Sequence, residues 1–280
     1  SFLQGNVALM IPKTADGRVL FAVPWHGKVL VGTTDTPLNA CTLEPRPLAE
    51  EIDFILKTAG EYLVRKPLHA DILSAFAGLR PLAAPGKNIN STKEISRSHK
   101  LIVSDSGLIT ITGGKWTTYR KMAEDTINKA IALGQLAYAK CITAQVKIHG
   151  AEGAKDTGHF AIYGTDASQI RKLMKNEPEL AGALHPDFQM VKAEVAWMIR
   201  SEMARTIEDV LARRSRVLFL NAAAAAKLAT PVAALMVQEL SKSESWATAQ
   251  LAEFNVLVQQ YLLKDVAQEG AYKKITLHNN

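Results

Sequence analysis

The chain has 280 residues, of which 48 % are hydrophobic and 21 % charged, with a formal net charge of +6. That length carries a substantial core in one large or two medium domains, and the composition excludes intrinsic disorder. The mild basic excess points to an anionic partner, a substrate or a membrane surface before a nucleic acid, since no dense Lys/Arg run with interleaved aromatics occurs.

Residues 6–11 form an apolar run, Ala15-Asp16-Gly17 is a turn signal, and 18–23 read as a second strand. Pro24-Trp25-His26-Gly27 turns the chain into a third strand over 28–32. Strands joined by such short turns are expected to pair antiparallel. Over 47–63 the period changes. Leu48, Ile52, Ile55, Leu56, Ala59, Tyr62 and Leu63 recur at helical spacing, opposite Glu50, Glu51, Asp53 and Lys57. An amphipathic helix covering the sheet is expected. Residues 68–82 read as a strand ending at Arg80-Pro81, which would aim Arg80 into a cleft. After a loop rich in Pro, Gly, Asn and Ser, 95–103 and 108–112 read as a hairpin around Ser104-Asp105-Ser106-Gly107, with Arg97 and His99 on its first strand.

The second hairpin strand runs into Ile109-Thr110-Ile111-Thr112-Gly113-Gly114-Lys115-Trp116-Thr117-Thr118-Tyr119-Arg120. Alternating Ile and Thr suit a strand. The two glycines allow a sharp turn and a close approach. Thr117 or Thr118 can cap the helix that follows, and Gly134 suits its C-cap. A helix start presents free N–H groups and the positive end of its dipole, and Lys115 adds a full charge there, so an electron-rich ligand is favoured. From about residue 166 the strand signal fades into helical patterns over 190–203, 206–220, 221–240 and 245–263. Thr206-Ile207-Glu208-Asp209 reads as a capping box, and Pro231 is expected to break or kink its helix. The fold class is thus α+β: an antiparallel sheet with a covering helix, followed by an all-α C-terminal domain.

Several chemistries drop out. The seven histidines form no pair at metal-ligand spacing, and no metal site is expected. No nucleophile elbow or catalytic-cysteine signature occurs. Cys41 and Cys141 fit no disulfide framework, and no apolar run approaches the ~20 residues that span a bilayer. Gly113-Gly114-Lys115 matches neither the phosphate-loop nor the Gly-x-Gly-x-x-Gly pattern; a tight turn with an exposed lysine and an anion site stand at even odds. Each arginine taken singly is an ordinary surface residue. If the three strands pair, Arg80, Arg97 and Lys115 converge on one sheet edge, as a phosphate or carboxylate ligand requires. Trp25 and Trp116 read as packing before cofactor stacking. Arg213-Arg214-Ser215-Arg216 reads as a solvated helix end, with an anionic lipid or a domain interface as the lesser alternative.

Val19-Leu20-Phe21-Ala22-Val23-Pro24-Trp25, Gly32-Thr33-Thr34-Asp35, Ala77-Gly78-Leu79-Arg80-Pro81-Leu82, Ile95-Ser96-Arg97-Ser98-His99 and Gly113-Gly114-Lys115-Trp116-Thr117-Thr118-Tyr119-Arg120-Lys121 together resemble the FAD-dependent glycerol-3-phosphate dehydrogenases. Thr206-Ile207-Glu208-Asp209-Val210-Leu211-Ala212-Arg213-Arg214-Ser215-Arg216 resembles that family's C-terminal helical domain motif. The resemblance implies oxidation of sn-glycerol 3-phosphate to dihydroxyacetone phosphate, with electrons passed to quinone, or to oxygen in oxidase relatives. It implies FAD as cofactor. Arg80, Arg97 and Lys115 match the substrate-site cations, and Gly113, Gly114, Lys115, Trp116, Thr117 and Thr118 match the turn and helix start facing the flavin ring.

The resemblance further implies a cytoplasmic enzyme, peripheral at the inner face of the cell membrane, with a homodimer allowed and no nucleic-acid partner. The family's Gly-x-Gly-x-x-Gly turn is absent from these 280 residues. The expected layout is therefore an incomplete substrate-binding sheet region over 1–112, the last helix of the FAD-binding domain and a connector over 113–140, and the helical domain over 141–280. Alone, such a piece is expected to hold little FAD and to lack dehydrogenase activity. The alternatives are a non-catalytic helical module for membrane or subunit contact, and a related FAD-dependent oxidase with a carboxylate-binding pocket.

Overall fold

The computed structural model describes residues 2–3, 5–14, 17–38, 40–80, 98–153, 158–185 and 188–263. The described chain divides into two compact units, one of residues 1–78 with 155–280 and one of residues 79–154.

The first unit opens with a three-stranded antiparallel meander, β1 (Leu9–Ile11), β2 (Leu20–Trp25) and β3 (Lys28–Gly32), in that order across the sheet. The meander and its antiparallel sense are as expected, though β1 is only three residues long. Gly17, at φ +78°, supplies the left-handed turn conformation between β1 and β2. Thr14 closes this turn, its hydroxyl donating to the Arg18 carbonyl at 3.0 Å. Helix α1 (Ala49–Gly60) covers the sheet. Its face supplies Ala59, Phe54 and Ile55, which pack with Ile11, Leu20, Leu9 and Val31 in a small core. The Glu51 carboxylate reaches back to the Leu48 N–H at 2.9 Å and caps the helix start.

The strand expected over 68–82 does not form over 68–80, and residues 81–82 lie outside the described residues. Residues 69–71 make one 3₁₀ turn, and the chain then runs extended to Arg80 without a strand partner among the described residues. The reason lies in where its backbone groups go. Ala222 donates its N–H to the Leu73 carbonyl at 3.0 Å, and Ala75 donates to the Tyr261 carbonyl at 3.0 Å. Helix ends satisfy this segment in place of a sheet.

The helical part of the same unit comprises α3 (Ala167–Asn176), α4 (Lys192–Arg200), α5 (Val217–Leu220), α6 (Ala222–Leu240) and α7 (Glu244–Tyr261). One continuous core joins them, with Met198, Ile207, Leu211, Leu218, Leu228, Met236 and Val258 fully buried. Three details differ from expectation. A hairpin of β6 (Ala183–His185) and β7 (Phe188–Val191) precedes α4 where helix alone was expected. Residues 209–214 wind as a π-helical turn. Helix α6 also runs through Pro231 uninterrupted. A helix-interior proline costs ~3 kcal/mol, and the burial of Leu228, Ala229, Val232, Ala233, Leu235 and Met236 around it offsets that loss. The expected cap at Thr206 is present: Asp209 N–H donates to the Thr206 hydroxyl at 3.0 Å, and the Asp209 carboxylate accepts from Thr206 N–H at 3.0 Å.

The second unit holds β4 (His99–Val103), β5 (Ile109–Gly113) and α2 (Tyr119–Leu133). The hairpin forms around 104–107 as expected, with Gly107 at φ +84°. Among the described residues no helix is long and apolar enough to cross a membrane, and no cluster of His, Cys, Asp or Glu is suited to a metal ion.

Candidate functional site

The strand, turn and helix over 109–133 form within the second unit. Strand β5 ends at Gly113, which pairs with His99 of β4. Gly113 and Gly114 both take left-handed conformations, at φ +73° and +78°. A Cβ on Gly114 would lie 2.5 Å from the Met122 Sδ and 3.3 Å from the His99 Cβ, so the Met122 side chain would have to shift, and the positive φ strains any other residue there. Residues Trp116–Thr118 then form a 3₁₀ turn that leads into α2. Thr118 does not cap α2 in the expected way. Its hydroxyl accepts from the Lys115 N–H at 3.2 Å and donates to the Lys115 carbonyl at 2.9 Å, which fixes the turn itself.

The charges around this turn are unequal. Arg120 pairs with Glu124 at 2.7 Å, Lys121 with Asp125 at 2.8 Å, and His99 Nε2 lies 3.0 Å from the Asp125 carboxylate. The Lys121 ammonium holds the Asp125 carboxyl below the usual range, with His99 contributing. Arg120 does the same to Glu124. Lys115 is exposed and in no ion pair among the described residues. It stands at the start of the helical run, where the dipole favours an anion. Trp116 is 87 % exposed and stacks against Tyr119 at 5.8 Å. Beside them Ile111, Tyr119, Met122, Ala123, Thr126 and Ile127 line an open apolar groove of about 370 Å³.

Arg80 is exposed at the end of the extended segment, on no strand paired with β4 or β5. Arg97 lies outside the described residues, two positions before β4. The hairpin register therefore joins His99 to the Gly-Gly-Lys turn, while the expected convergence of three strands on one edge is absent among the described residues. The His99–Asp125 pair was not read as part of the site. Its only trace in the sequence is the helical spacing of Lys121 and Asp125, since the hairpin register alone brings His99 to α2. In the helical part, Arg213 pairs with Glu208 at 2.6 Å and Asp209 at 3.1 Å, and Arg214 with Asp209 at 3.5 Å. The basic cluster is thus mostly matched by acids on its own elements, as a capped helix end requires.

Comparison with known proteins gives first a class. The family model for FAD dependent oxidoreductase matches residues 3–120, and that for the C-terminal domain of alpha-glycerophosphate oxidase matches residues 141–247. The mitochondrial glycerol-3-phosphate dehydrogenase of Rattus norvegicus is 38 % identical over 85 % of this chain and 36 % of its own length. A probable mitochondrial glycerol-3-phosphate dehydrogenase of Caenorhabditis elegans is 36 % identical over 99 % of the chain and 41 % of its own. The crystal structure of glycerol-3-phosphate dehydrogenase from Bacillus halodurans, complexed with FAD, superposes with a TM-score of 0.67 at 30 % identity, over 91 % of this chain and 53 % of that one. Over most of its length the chain is thus similar to part of the FAD-dependent glycerol-3-phosphate dehydrogenases. It spans less than half the length of these two curated relatives.

The turn fits the cofactor of that family. An anionic, planar group bound there would find at Gly113 and Lys115–Thr118 a helix start, an ammonium in no ion pair among the described residues, and an exposed indole.

Proposed function

We propose that this chain is the substrate-sheet, turn–helix and helical-domain portion of an FAD-dependent glycerol-3-phosphate dehydrogenase, oxidising sn-glycerol 3-phosphate to dihydroxyacetone phosphate. The observation that carries this reading is Lys115: a cation in no ion pair among the described residues, beside two left-handed glycines at a helix start and followed by Arg120 and Lys121, which acids do neutralise.

Arg80, Arg97 and Lys115 then share two tasks. Some hold the phosphate dianion, where guanidinium and ammonium donors give charge-assisted bonds. One steadies the C2 oxygen as its proton leaves, a charge that grows only in the transition state. The oxidant in this chemistry is FAD, which takes the hydride from C2. The Gly113–Thr118 turn offers it positive charge through Lys115 and the helix dipole.

The electron acceptor in this reading is a membrane quinone. That places the protein peripherally at the inner face of the cell membrane, with a homodimer allowed. The layout is the one expected from the sequence, with 1–112 as the incomplete substrate sheet, 113–140 as the closing helix and connector of the FAD-binding domain, and 141–280 as the helical domain. The relatives' greater length supports assigning the rest of the FAD site to sequence outside these 280 residues, and the chain alone is then inactive and nearly colourless.

Calorimetric titration of the 280-residue chain with glycerol 3-phosphate and with lactate tests the site. Binding of the phosphate ester alone is expected, weakened tenfold or more by Lys115→Ala at the ~1.5–3 kcal/mol of a charged hydrogen bond. Equal affinity for both ligands, or indifference to Lys115→Ala, would overturn the assignment.

A further inference from the structure

Two adjacent glycines make a pliable turn, because neither has a Cβ to restrict its backbone. Groups outside Gly113 and Gly114 must therefore hold the Gly-Gly-Lys turn to one shape. On the helix side the hold is local. Lys115 N–H donates to the Thr118 hydroxyl at 3.2 Å, and the Lys115 carbonyl accepts from Thr118 N–H at 2.9 Å. On the strand side Gly113 is paired with His99 of β4. The His99 side chain reaches further. Its Nε2 lies 3.0 Å from Oδ2 of Asp125, in the second turn of α2. One side chain thus joins the strand beside the turn to the helix after it.

All of these residues lie in the 79–154 unit. The His99 and Asp125 side chains are 22 % and 29 % exposed, so their contact is partly shielded from water. Each carboxylate oxygen of Asp125 has its own partner: Oδ1 meets the Lys121 ammonium at 2.8 Å, and Oδ2 meets His99. An ionised carboxylate only accepts, so the hydrogen of the second contact sits on His99 Nε2. His99 also lies against the turn itself, since a Cβ on Gly114 would stand 3.3 Å from the His99 Cβ. The register sets Gly113 beside His99, so the bond to Asp125 closes a short loop that runs from Gly113 into α2. Gly114 and Lys115 are inside that loop.

We propose that His99 and Asp125 are positioning residues for Lys115: their hydrogen bond clamps β4 to α2 and fixes the Gly113-Gly114 turn in the form from which Lys115 meets an anion. This rests on the reading of Lys115 as a cation that binds glycerol 3-phosphate. The role requires no contact between His99 and the ligand.

The test uses the 280-residue chain with His99→Ala, His99→Gln, Asp125→Ala, Lys115→Ala and the His99→Ala/Lys115→Ala double variant. Two quantities are read: hydrogen exchange of the Lys115 amide, which the Thr118 hydroxyl shields only while the turn holds, and affinity for glycerol 3-phosphate by calorimetry. His99→Ala and Asp125→Ala are each expected to raise that exchange and to weaken binding about tenfold, the scale on which a small misplacement of a binding group acts. His99→Gln places an amide N–H near the position of Nε2 and restores most of both. The double variant binds no worse than Lys115→Ala alone, because His99 acts through Lys115. Unchanged Lys115 exchange in His99→Ala, no rescue by His99→Gln, or additive losses in the double variant would overturn the positioning role while the function stands. Absence of binding, or indifference of binding to Lys115→Ala, would overturn the reading of Lys115 and the positioning built on it.

Discussion

The helical part and the 79–154 unit share one chain and obey the same local rules, but they differ in how far they complete a core. The helical part buries Ile207, Leu211, Leu218, Leu228 and Met236 completely. In the 79–154 unit not one described residue is buried, and Ile102, Leu108, Ile127, Leu136, Tyr138, Ile142 and Ile148 are all exposed. Yet its hairpin keeps register over five residue pairs, and α2 runs fifteen residues. Periodicity and turn chemistry suffice for elements, whereas a core needs a second layer on each apolar face. The helical part supplies its own layers. The hairpin–helix unit has one layer, with α2 resting on β5.

That contrast predicts a steep ladder of mutational cost. Leu228→Ala, in the helical core, is expected to lose about 3–4 kcal/mol through lost transfer energy and the cavity left behind. Urea unfolding followed by tryptophan fluorescence would show it, since Trp197 and Trp246 lie in this part. A loss below ~1 kcal/mol would mean that the core is not cooperative and the contrast false.

Next comes the buried carboxylate of Glu194, 2 % exposed, which accepts from Tyr163 Oη at 2.9 Å and Val191 N–H at 2.8 Å and lies 2.7 Å from His159 Nε2. Glu194→Gln keeps the shape but cannot accept from all three donors, and about 2–3 kcal/mol should go. Burial, and then the Glu194 charge and hydrogen bond, push the Tyr163 hydroxyl above the ordinary tyrosine value of 10.0. Its folded pKa is raised, so its stabilisation is full below pH 10 and is lost as pH rises beyond that. Tyr163→Phe should cost about 1 kcal/mol at neutral pH and flatten that alkaline loss. An unchanged alkaline profile in the variant would remove Tyr163 from the account. Thr206→Ala follows at ~1 kcal/mol, the worth of one N-cap, read from the same unfolding curves.

The sequence carried the pieces whose signal is local. The 28–32 strand, the helix over 49–60, the 104–107 turn and the Asp209 cap all follow from spacing and turn chemistry within a few residues. It misled where distant groups decide. Residues 72–76 have the look of a strand, but their hydrogen-bond partners are helix ends nearly 150 and 190 residues away. Pro231 breaks helices as a rule, and only the packing of α6 among α4, α5 and α7 overrides it. The Gly113-Gly114 turn was legible because two adjacent glycines between a strand pattern and a helix pattern signal a left-handed turn, and both glycines take that conformation. His99 was not, because only strand register puts it beside Gly113.

The smallest predicted effect is the sharpest test of the contrast. Ile127 lies on α2, 58 % exposed, at the edge of the apolar groove. Ile127→Lys in the 280-residue chain should change stability by no more than about 0.5 kcal/mol, since the side chain gives up little buried area and lysine is at least as good a helix former as isoleucine. The same change at Leu228 would place a charge in a closed core and unfold the helical part. If Ile127→Lys instead costs more than ~1.5 kcal/mol, roughly the burial energy of an aliphatic side chain, then this face is covered in solution and the 79–154 unit has its second layer after all. Circular dichroism at 222 nm during urea unfolding separates the two results, because α2 reports there whether or not the tryptophans move.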